Sequence, residues 1–297
     1  MHPVDVIIVT YNHKKFIRES IDSVLAQDYG NIRIIISDDC STDGTTEIIK
    51  EYSNKYPQKI IPLFSDQNQG LTQNIDRATR VCEGKYISHL GGDDLMMAGK
   101  ISSQVEFMEI NANCSICYHD VLAFDSDSGE DLYLFKEKYK PREGGIKTMI
   151  RHGSFNCGST NMFRTESLPR DGFDHRVPIA SDWLYCVETL AKGGEIMYID
   201  EVFVKYRRHS DSITSSSQSN KFRFLAQEDH FSSCAILSAR FPQHYLSIRG
   251  RLSSLFLTMA VLNKKRYFRF ILISFLHFPT KINIGALLLY LFLGKKI

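Results

Sequence analysis

Asp93 and Asp94 stand side by side behind Gly91 and Gly92, at the end of the short, mostly apolar run Tyr86–Leu90. Two carboxylates beside residues without side chains suit a divalent cation carrying a nucleotide diphosphate, because glycine lets phosphate oxygens approach the backbone. The same four residues also suit a solvated turn or a helix cap. Polar residues recur in the same place elsewhere in the chain. Thr10, Tyr11 and Asn12 end the run Val4–Thr10 and begin the loop after it, and Asp38 and Asp39 follow Ile32–Ile36. Ser181 and Asp182 stand at the cap of a helix that runs through Leu190 to Gly193-Gly194. His209 closes the string Tyr206-Arg207-Arg208-His209.

Such residues need elements to bring them together. Val4–Thr10, Ile32–Ile36, Lys59–Ser65 and Tyr86–Leu90 are β-branched or apolar runs that read as buried strands. Between them, apolar residues recur at helical spacing in Phe16–Leu25, Ile48–Tyr52 and Leu71–Cys82. Alternating strands and helices of this length imply right-handed βαβ units and a mostly parallel α/β sheet. The three polar loops then follow strand C-terminal ends and line one crevice, where open α/β sheets bind ligands. Further on, Lys100–Asn111 reads as a helix, Ser115–Phe124 and Ile196–Tyr206 as strands, and Asn156–Asn161 as a strand and loop.

The chain has 297 residues, 43% hydrophobic and 24% charged, which fits a globular protein of one large or two small domains. Val4–Thr10 reads as a first strand and no signal-like segment precedes it, so residence on the cytoplasmic side is expected. Seven scattered cysteines fit reduced thiols better than a disulfide framework, and the lone Cys114–Cys117 pair better suits strand packing than zinc. The net charge of +2 hides an asymmetry. From His230 to Ile297 there are ten Lys or Arg and no Asp or Glu, leaving 26 basic and 34 acidic residues before it. A basic tail points to an anionic partner, a phospholipid surface or a nucleic acid, or else to a solvated helical face. Its apolar runs, Tyr267–Phe278 and Ile284–Leu293, fall short of the ~20 residues that span a bilayer. A helix lying in the interface or a hairpin packed on the protein fits them. Two domains are expected, 1–214 and 220–297, joined through the serine-rich stretch Ser215–Ser219.

The stretches VDVIIVTYNHKKFIRESIDSVLAQDYGNIRIIISDDCSTDGTTEII, NQGLTQNIDRATRVCEGKYISHLGGDD and SDWLYCVETLAKGGEIMYIDEVFVKYRRH, in that order, resemble the family 2 inverting glycosyltransferases of bacterial surface-polysaccharide synthesis. The likeness covers about residues 4 to 210 and implies the GT-A fold, a Rossmann-like, mostly parallel sheet with flanking helices, here followed by a C-terminal helical region. Thr10, Tyr11, Asn12 and Asp39 match positions that hold the nucleotide, with Asn68, Asn74 and Arg77 as further donor-side contacts. A carboxylate at Asp39 is chemically apt, since it accepts the imide N–H of uracil. Asp93 and Asp94 fall on the family's Asp-x-Asp motif, whose first aspartate is Gly91 here. That leaves Asp93 as principal ligand of Mg2+ or Mn2+, with Asp94 assisting or holding sugar hydroxyls. His209 matches a position contacting metal or diphosphate, and Arg208 beside it would pair with phosphate oxygens. Asp182 matches the general base, although the residue before it, acidic in relatives, is Ser181; a helix cap is the alternative role.

The resemblance thus implies a metal-dependent, inverting transferase using a nucleotide sugar of the UDP kind and a glycan or lipid-linked acceptor, with no nucleic acid involved. Peripheral contact with the inner face of the cytoplasmic membrane is expected through the tail. A nucleotidyltransferase would want a glycine-rich phosphate loop after the first strand, and Thr10–Phe16 contains no glycine. A non-catalytic binding protein on a decayed transferase fold is the other reading, resting on Gly91.

Overall fold

The computed structural model describes residues 1–210, 212, 220–262 and 266–293. The serine-rich linker 215–219 and the tail lysines at 264, 265, 295 and 296 lie outside the described residues. The chain folds into two compact units, one of Met1–Ile146 with Ser154–Ser215, the other of Lys147–Gly153 with Ser216–Ile297.

In the first unit the β-branched runs form the strands β1 (Val4–Thr10), β2 (Ile32–Asp38), β3 (Ile60–Phe64) and β4 (Tyr86–Gly91), ordered β3-β2-β1-β4 and all parallel. Helices α1 (Ile17–Leu25), α2 (Thr45–Lys55) and α3 (Leu71–Arg80) make the crossovers. Apolar residues point to both faces of these strands because both faces are covered: Val6, Ile8, Ile34 and Ile36 join one core cluster, Ile7, Ile35 and Ile87 another. Register sets the site. Thr10 pairs with Asp38 and Val9 with Gly91, so the loops after β1, β2 and β4 leave the sheet at one level.

Beyond β4 the sheet is mixed. The two-residue strand β5 (Leu95–Met96) and α4 (Lys100–Ile110) follow β4 in the chain, and β6 (Cys114–Asp125) carries the hairpin partner β7 (Asp131–Leu134). Short helices α5 (Phe135–Lys138) and α6 (Ile146–His152) come next. The stretch 156–161, expected as a strand and loop, is a 3-10 turn at Gly158–Thr160 leading into β8 (Met162–Arg164). β8 lies antiparallel between β4 and β6; β9 (Glu195–Arg208), entered from α7 (Ser181–Leu190), runs parallel to β6 and antiparallel to β5.

The second unit is helical: α8 (Asn220–Arg240), α9 (Tyr245–Leu262), α10 (Tyr267–His277) and α11 (Lys281–Leu293), with the segment 147–153. A buried polar node joins three of them. Asn283 donates through Nδ2 to the hydroxyls of Ser253 and Ser274, both at 3.1 Å, and to Phe278 O at 2.9 Å. Among the described residues no helix is long and apolar enough to cross a membrane.

Candidate active site

The loop after β4 is held by three residues, Ser159, Arg207 and Ser20. Ser159 donates its hydroxyl to Asp94 Oδ2 at 2.6 Å and accepts the Gly91 N–H at 3.0 Å. Asp94 Oδ1 accepts the Arg207 N–H at 3.1 Å, and Ser20 donates to the Asp94 carbonyl at 2.6 Å. Arg207 itself is buried: Nε donates to Asp93 O at 2.8 Å, Nη2 reaches Glu19 at 2.6 Å, and the guanidinium lies 4.8 Å from both the Phe16 and Phe124 rings. Burial, and then the neighbouring Asp93 charge, push the Asp94 carboxyl well above its ordinary pKa. Asp94 therefore serves as an internal anchor, and Asp93 is the carboxylate that faces outward.

Asp93 Oδ2 lies 3.1 Å from His209 Nε2. Burial raises the Asp93 pKa, but the His209 hydrogen bond and the charges of His13 and His209 outweigh it and hold the carboxyl below the usual value. The His209 ring packs 4.7 Å from Phe16 and 6.5 Å from His13, and burial lowers the His13 pKa. Three buried polar atoms here, Thr10 Oγ1, His13 Nδ1 and His209 Nδ1, have no hydrogen-bond partner among the described residues. At Gly91 a Cβ would stand 2.8 Å from Asp93 Oδ1 and 3.1 Å from Asp94 Oδ2, so a side chain there would shift the tips of those two carboxylates. Gly92 is as tight, 2.8 Å from Thr10 Cβ and 2.9 Å from His13 Nδ1.

A divalent cation can be tested against this donor set. Two neighbouring ligands ~2.1 Å from an octahedral ion lie roughly 3.0 Å apart, and Asp93 Oδ2 and His209 Nε2 stand 3.1 Å apart. One carboxylate oxygen and one imidazole nitrogen suit Mn2+ or Mg2+ completed by water and phosphate. Among the described residues no group of three or more His, Cys, Asp or Glu gathers as a metal site, so an ion held here would take two protein ligands and need the rest from water or phosphate.

The edge formed by β1 and β2 is equally built. Asp39 accepts the N–H groups of Gln69 at 2.9 Å and Gly70 at 2.8 Å, which ties the loop after β2 to the start of α3. Asn68 Oδ1 accepts the same Gly70 N–H at 3.2 Å. Asp38 is taken up internally by Ser41 and Thr46, and Asp43 accepts the N–H groups of Lys14 and Thr45. Asn12, at φ +55°, accepts from Thr42 N and donates its own N–H to Ser41; Cys40 is at φ +63°. Two non-glycine residues in the left-handed region on facing loops mark backbone held in place by its surroundings, common where ligands bind. Asn74 is buried and pins Ser37, donating to its carbonyl at 3.0 Å and accepting from its hydroxyl at 2.7 Å. Arg77 donates to Ser37 Oγ, Asp38 O and Asn74 Oδ1. Both sit beneath the loop, whereas Tyr11 is exposed above it.

Asp182 projects into solvent from the first turn of α7 and accepts its neighbour's N–H, that of Trp183, at 2.7 Å. The protein around it still desolvates the carboxyl and raises its pKa. Cys157 feels the charges of Asp94, Asp182 and Asp93 in turn, which places Asp182 and the diaspartate around one short segment. Trp183 is buried in the core. The loop before α7 hangs on α3: Thr72 donates to Ser181 Oγ at 2.8 Å, and Asp76 accepts from Phe173 N and lies 2.9 Å from His175 Nε2. One helix thus steadies both the Asp39 loop and the approach to Asp182.

The structure therefore brings Asp93, Asp94 and His209 together, and gathers Thr10, Asn12, Asp39, Asn68, Asn74 and Arg77 at the neighbouring edge. Arg208 takes the other side of β9, with its guanidinium 5.8 Å from the Tyr206 ring. Arg207, Ser159, Glu19 and Thr72 were not singled out from sequence. For Arg207 a signal was present, since strand alternation puts residues 207 and 209 on one side; the others offer none.

The fold defines a class, an α/β scaffold with polar loops gathered at the strand ends, and the comparisons give the family. The chain belongs to glycosyl transferase family 2, whose model matches residues 5–171. A Mycobacterium tuberculosis protein is 28% identical over 229 residues, 76% of this chain and 65% of that protein, so the chain spans slightly under two thirds of that relative's length. The UDP-Glc:alpha-D-GlcNAc-diphosphoundecaprenol beta-1,3-glucosyltransferase WfaP of Escherichia coli is 28% identical over 236 residues, 77% of this chain and 85% of that enzyme. Among solved structures, S. aureus TarS 1-349 in complex with UDP-GlcNAc superposes with a TM-score of 0.60 at 17% identity, covering 97% of this chain and 91% of that one. The mannosyltransferase PcManGT of Pyrobaculum calidifontis, in complex with GDP-Man and Mn2+, gives 0.54 at 15% identity, over 99% and 88%. At these identities the structural likeness shows the fold, which is of the GT-A kind.

Proposed function

We propose that the protein is an inverting glycosyltransferase that moves a sugar from a UDP-linked donor to a hydroxyl of a glycan or lipid-linked glycan in polysaccharide synthesis. The observation that carries this is the Asp93–His209 pair, placed at the strand-end edge beside the Asp39 loop. The names of WfaP and of the TarS complex, which state UDP-Glc, a diphosphoundecaprenol-linked acceptor and UDP-GlcNAc, favour the donor and acceptor class. In this reading Thr10, Tyr11, Asn12 and Asp39 receive the base and ribose, with Asn74 and Arg77 holding the loop from below. When bound between Asp93 and His209, Mg2+ or Mn2+ supplies positive charge against the charge that builds on the departing diphosphate. Asp182 takes the proton from the acceptor hydroxyl while the acceptor oxygen bonds to the anomeric carbon, opposite the breaking bond to the diphosphate, which leaves with the bonding pair, and the configuration inverts. A raised Asp182 pKa brings this base closer to neutrality, where general bases work best. The non-catalytic alternative rests on Gly91, which stands where the motif's first aspartate would be; the Asp93–His209 pair favours the catalytic reading. Work on the cytoplasmic side, peripheral to a membrane that carries the acceptor, completes the proposal.

UDP with Mn2+ should raise the melting temperature of the wild type and shift Asp93→Asn much less; equal shifts would remove Asp93 from the metal site. Asp182→Asn should keep the UDP shift yet lose transfer by roughly 10²–10⁴-fold, the usual span for general-base loss. Transfer at the wild-type rate would remove Asp182 as the base.

A further inference from the structure

We infer that the outward faces of α10 and α11 form a docking surface for an anionic phospholipid bilayer. Both helices turn one face to α9. Ile271 and Ser274 on α10 and Asn283 on α11 are buried, and Ser253 of α9 contacts Ser274 and Asn283. At 100° per residue, the opposite side of α10 carries Arg269, Leu272 and Leu276, and that of α11 carries Lys281, Ile284 and Leu288. All six are exposed. Each helix thus presents one cation and two aliphatic side chains at spacing i, i+3, i+7, on the side where a water-facing helix carries polar groups.

Charge identifies the occupant. From His230 to Ile297 the sequence holds ten Lys or Arg and no Asp or Glu, and Arg266 is exposed beside Arg269. An all-basic rim around bare aliphatics matches lipid phosphates above acyl chains, with the long cationic side chains reaching up to the headgroups. Length excludes spanning: α10 has 11 residues and α11 has 13, about 17 and 20 Å at 1.5 Å per residue, against a hydrocarbon core of about 30 Å. The helices would lie flat in the interface. This deepens the proposed function by stating where the chain meets the surface bearing a lipid-linked acceptor.

The test is co-sedimentation of the full chain with vesicles of phosphatidylcholine alone or mixed with phosphatidylglycerol, at low and at high salt. Binding is expected only with the anionic vesicles, weakened several-fold by salt, and reduced at least tenfold in Leu276→Glu/Ile284→Glu. The neutralised variant Arg266→Ser/Arg269→Ser/Lys281→Ser should lose the preference for anionic lipid. No sedimentation of the wild type, unchanged sedimentation of the Glu variant, or equal binding to both vesicle types would each overturn the inference. So would a wild-type dimer in light scattering that the Glu variant converts to monomer without any vesicle binding. The UDP and Mn2+ thermal shift, read on the same samples, reports on the donor site separately, so either reading can fail alone.

Discussion

The strand-end edge of the sheet and the contact of α9 with α10 and α11 both bury polar side chains, with opposite chemistry. At the edge the buried groups are ionisable side chains. Asp38, Asp39, Asp94 and Arg207 are almost fully enclosed, and Lys100 of α4 is wholly so, with Ser88 Oγ at 2.8 Å from its amine. Each has fixed partners: backbone N–H groups for Asp39 and Asp94, hydroxyls for Asp38, a carbonyl and a carboxylate for Arg207. The helix contact instead buries the neutral Ser253, Ser274 and Asn283, while Arg266, Arg269 and Lys281 face water. Burying charge is costly unless a framework satisfies it. Loops that leave parallel strands at one level offer such a framework, because their backbone amides converge; a helix face, whose amides are already bonded, does not. The contrast favours the proposed chemistry at the first region and the inferred docking at the second.

Three substitutions probe this contrast, from the largest expected effect downward. Arg207→Gln should destabilise the first unit by about 3–4 kcal/mol, the low end for a buried charge because Glu19 is exposed, and should weaken the UDP and Mn2+ shift with it. Denaturant unfolding reads the first, and a loss under 1 kcal/mol would show that the edge does not depend on its buried charge. Lys100 gives a pH signature. Burial lowers its pKa from 10.5 to about 7. Between those values the folded chain holds a neutral amine and the unfolded chain a charged one, so unfolding takes up a proton. Stability should then rise with pH, by roughly 2 kcal/mol from pH 7 to pH 9. Lys100→Met should flatten that rise, and an unchanged slope would mean that the amine finds other partners in solution. Asn283→Ala, in the neutral node, should cost only about 1–2 kcal/mol with no pH dependence over the same range. A cost as large as that of Arg207→Gln would erase the distinction between the regions.

Much of the fold was legible because its signals are local. β-branched runs between helical stripes gave β1 to β4 and their crossovers, and the polar residues after each strand gave the crevice. The short β8 and β5 were not legible, since three and two residues carry no period of their own. The partners that fix the site were hidden by distance along the chain. Ser159 reaches Asp94 across 65 positions, Thr72 reaches Ser181 across 109, and the Arg207 N–H reaches Asp94 across 113.

By itself the sequence determined which segments are strands, that three polar loops follow strand ends, and that the tail is basic and apolar. Tertiary structure decided which side chains those loops use. Irregularities at His119, Asp120 and Val121 shift the pairing of β6 with β9, Asp120 meeting Val202 where His119 had met Ile199. With that register Arg207 stands opposite Phe124 and Arg208 opposite Asp125, while alternation along β9 alone puts Arg208 on the side away from Arg207. Alternation is a local property, but register is fixed by pairing between residues far apart in the chain. The close approach of the two carboxylates to Gly91 is likewise visible only in the folded chain.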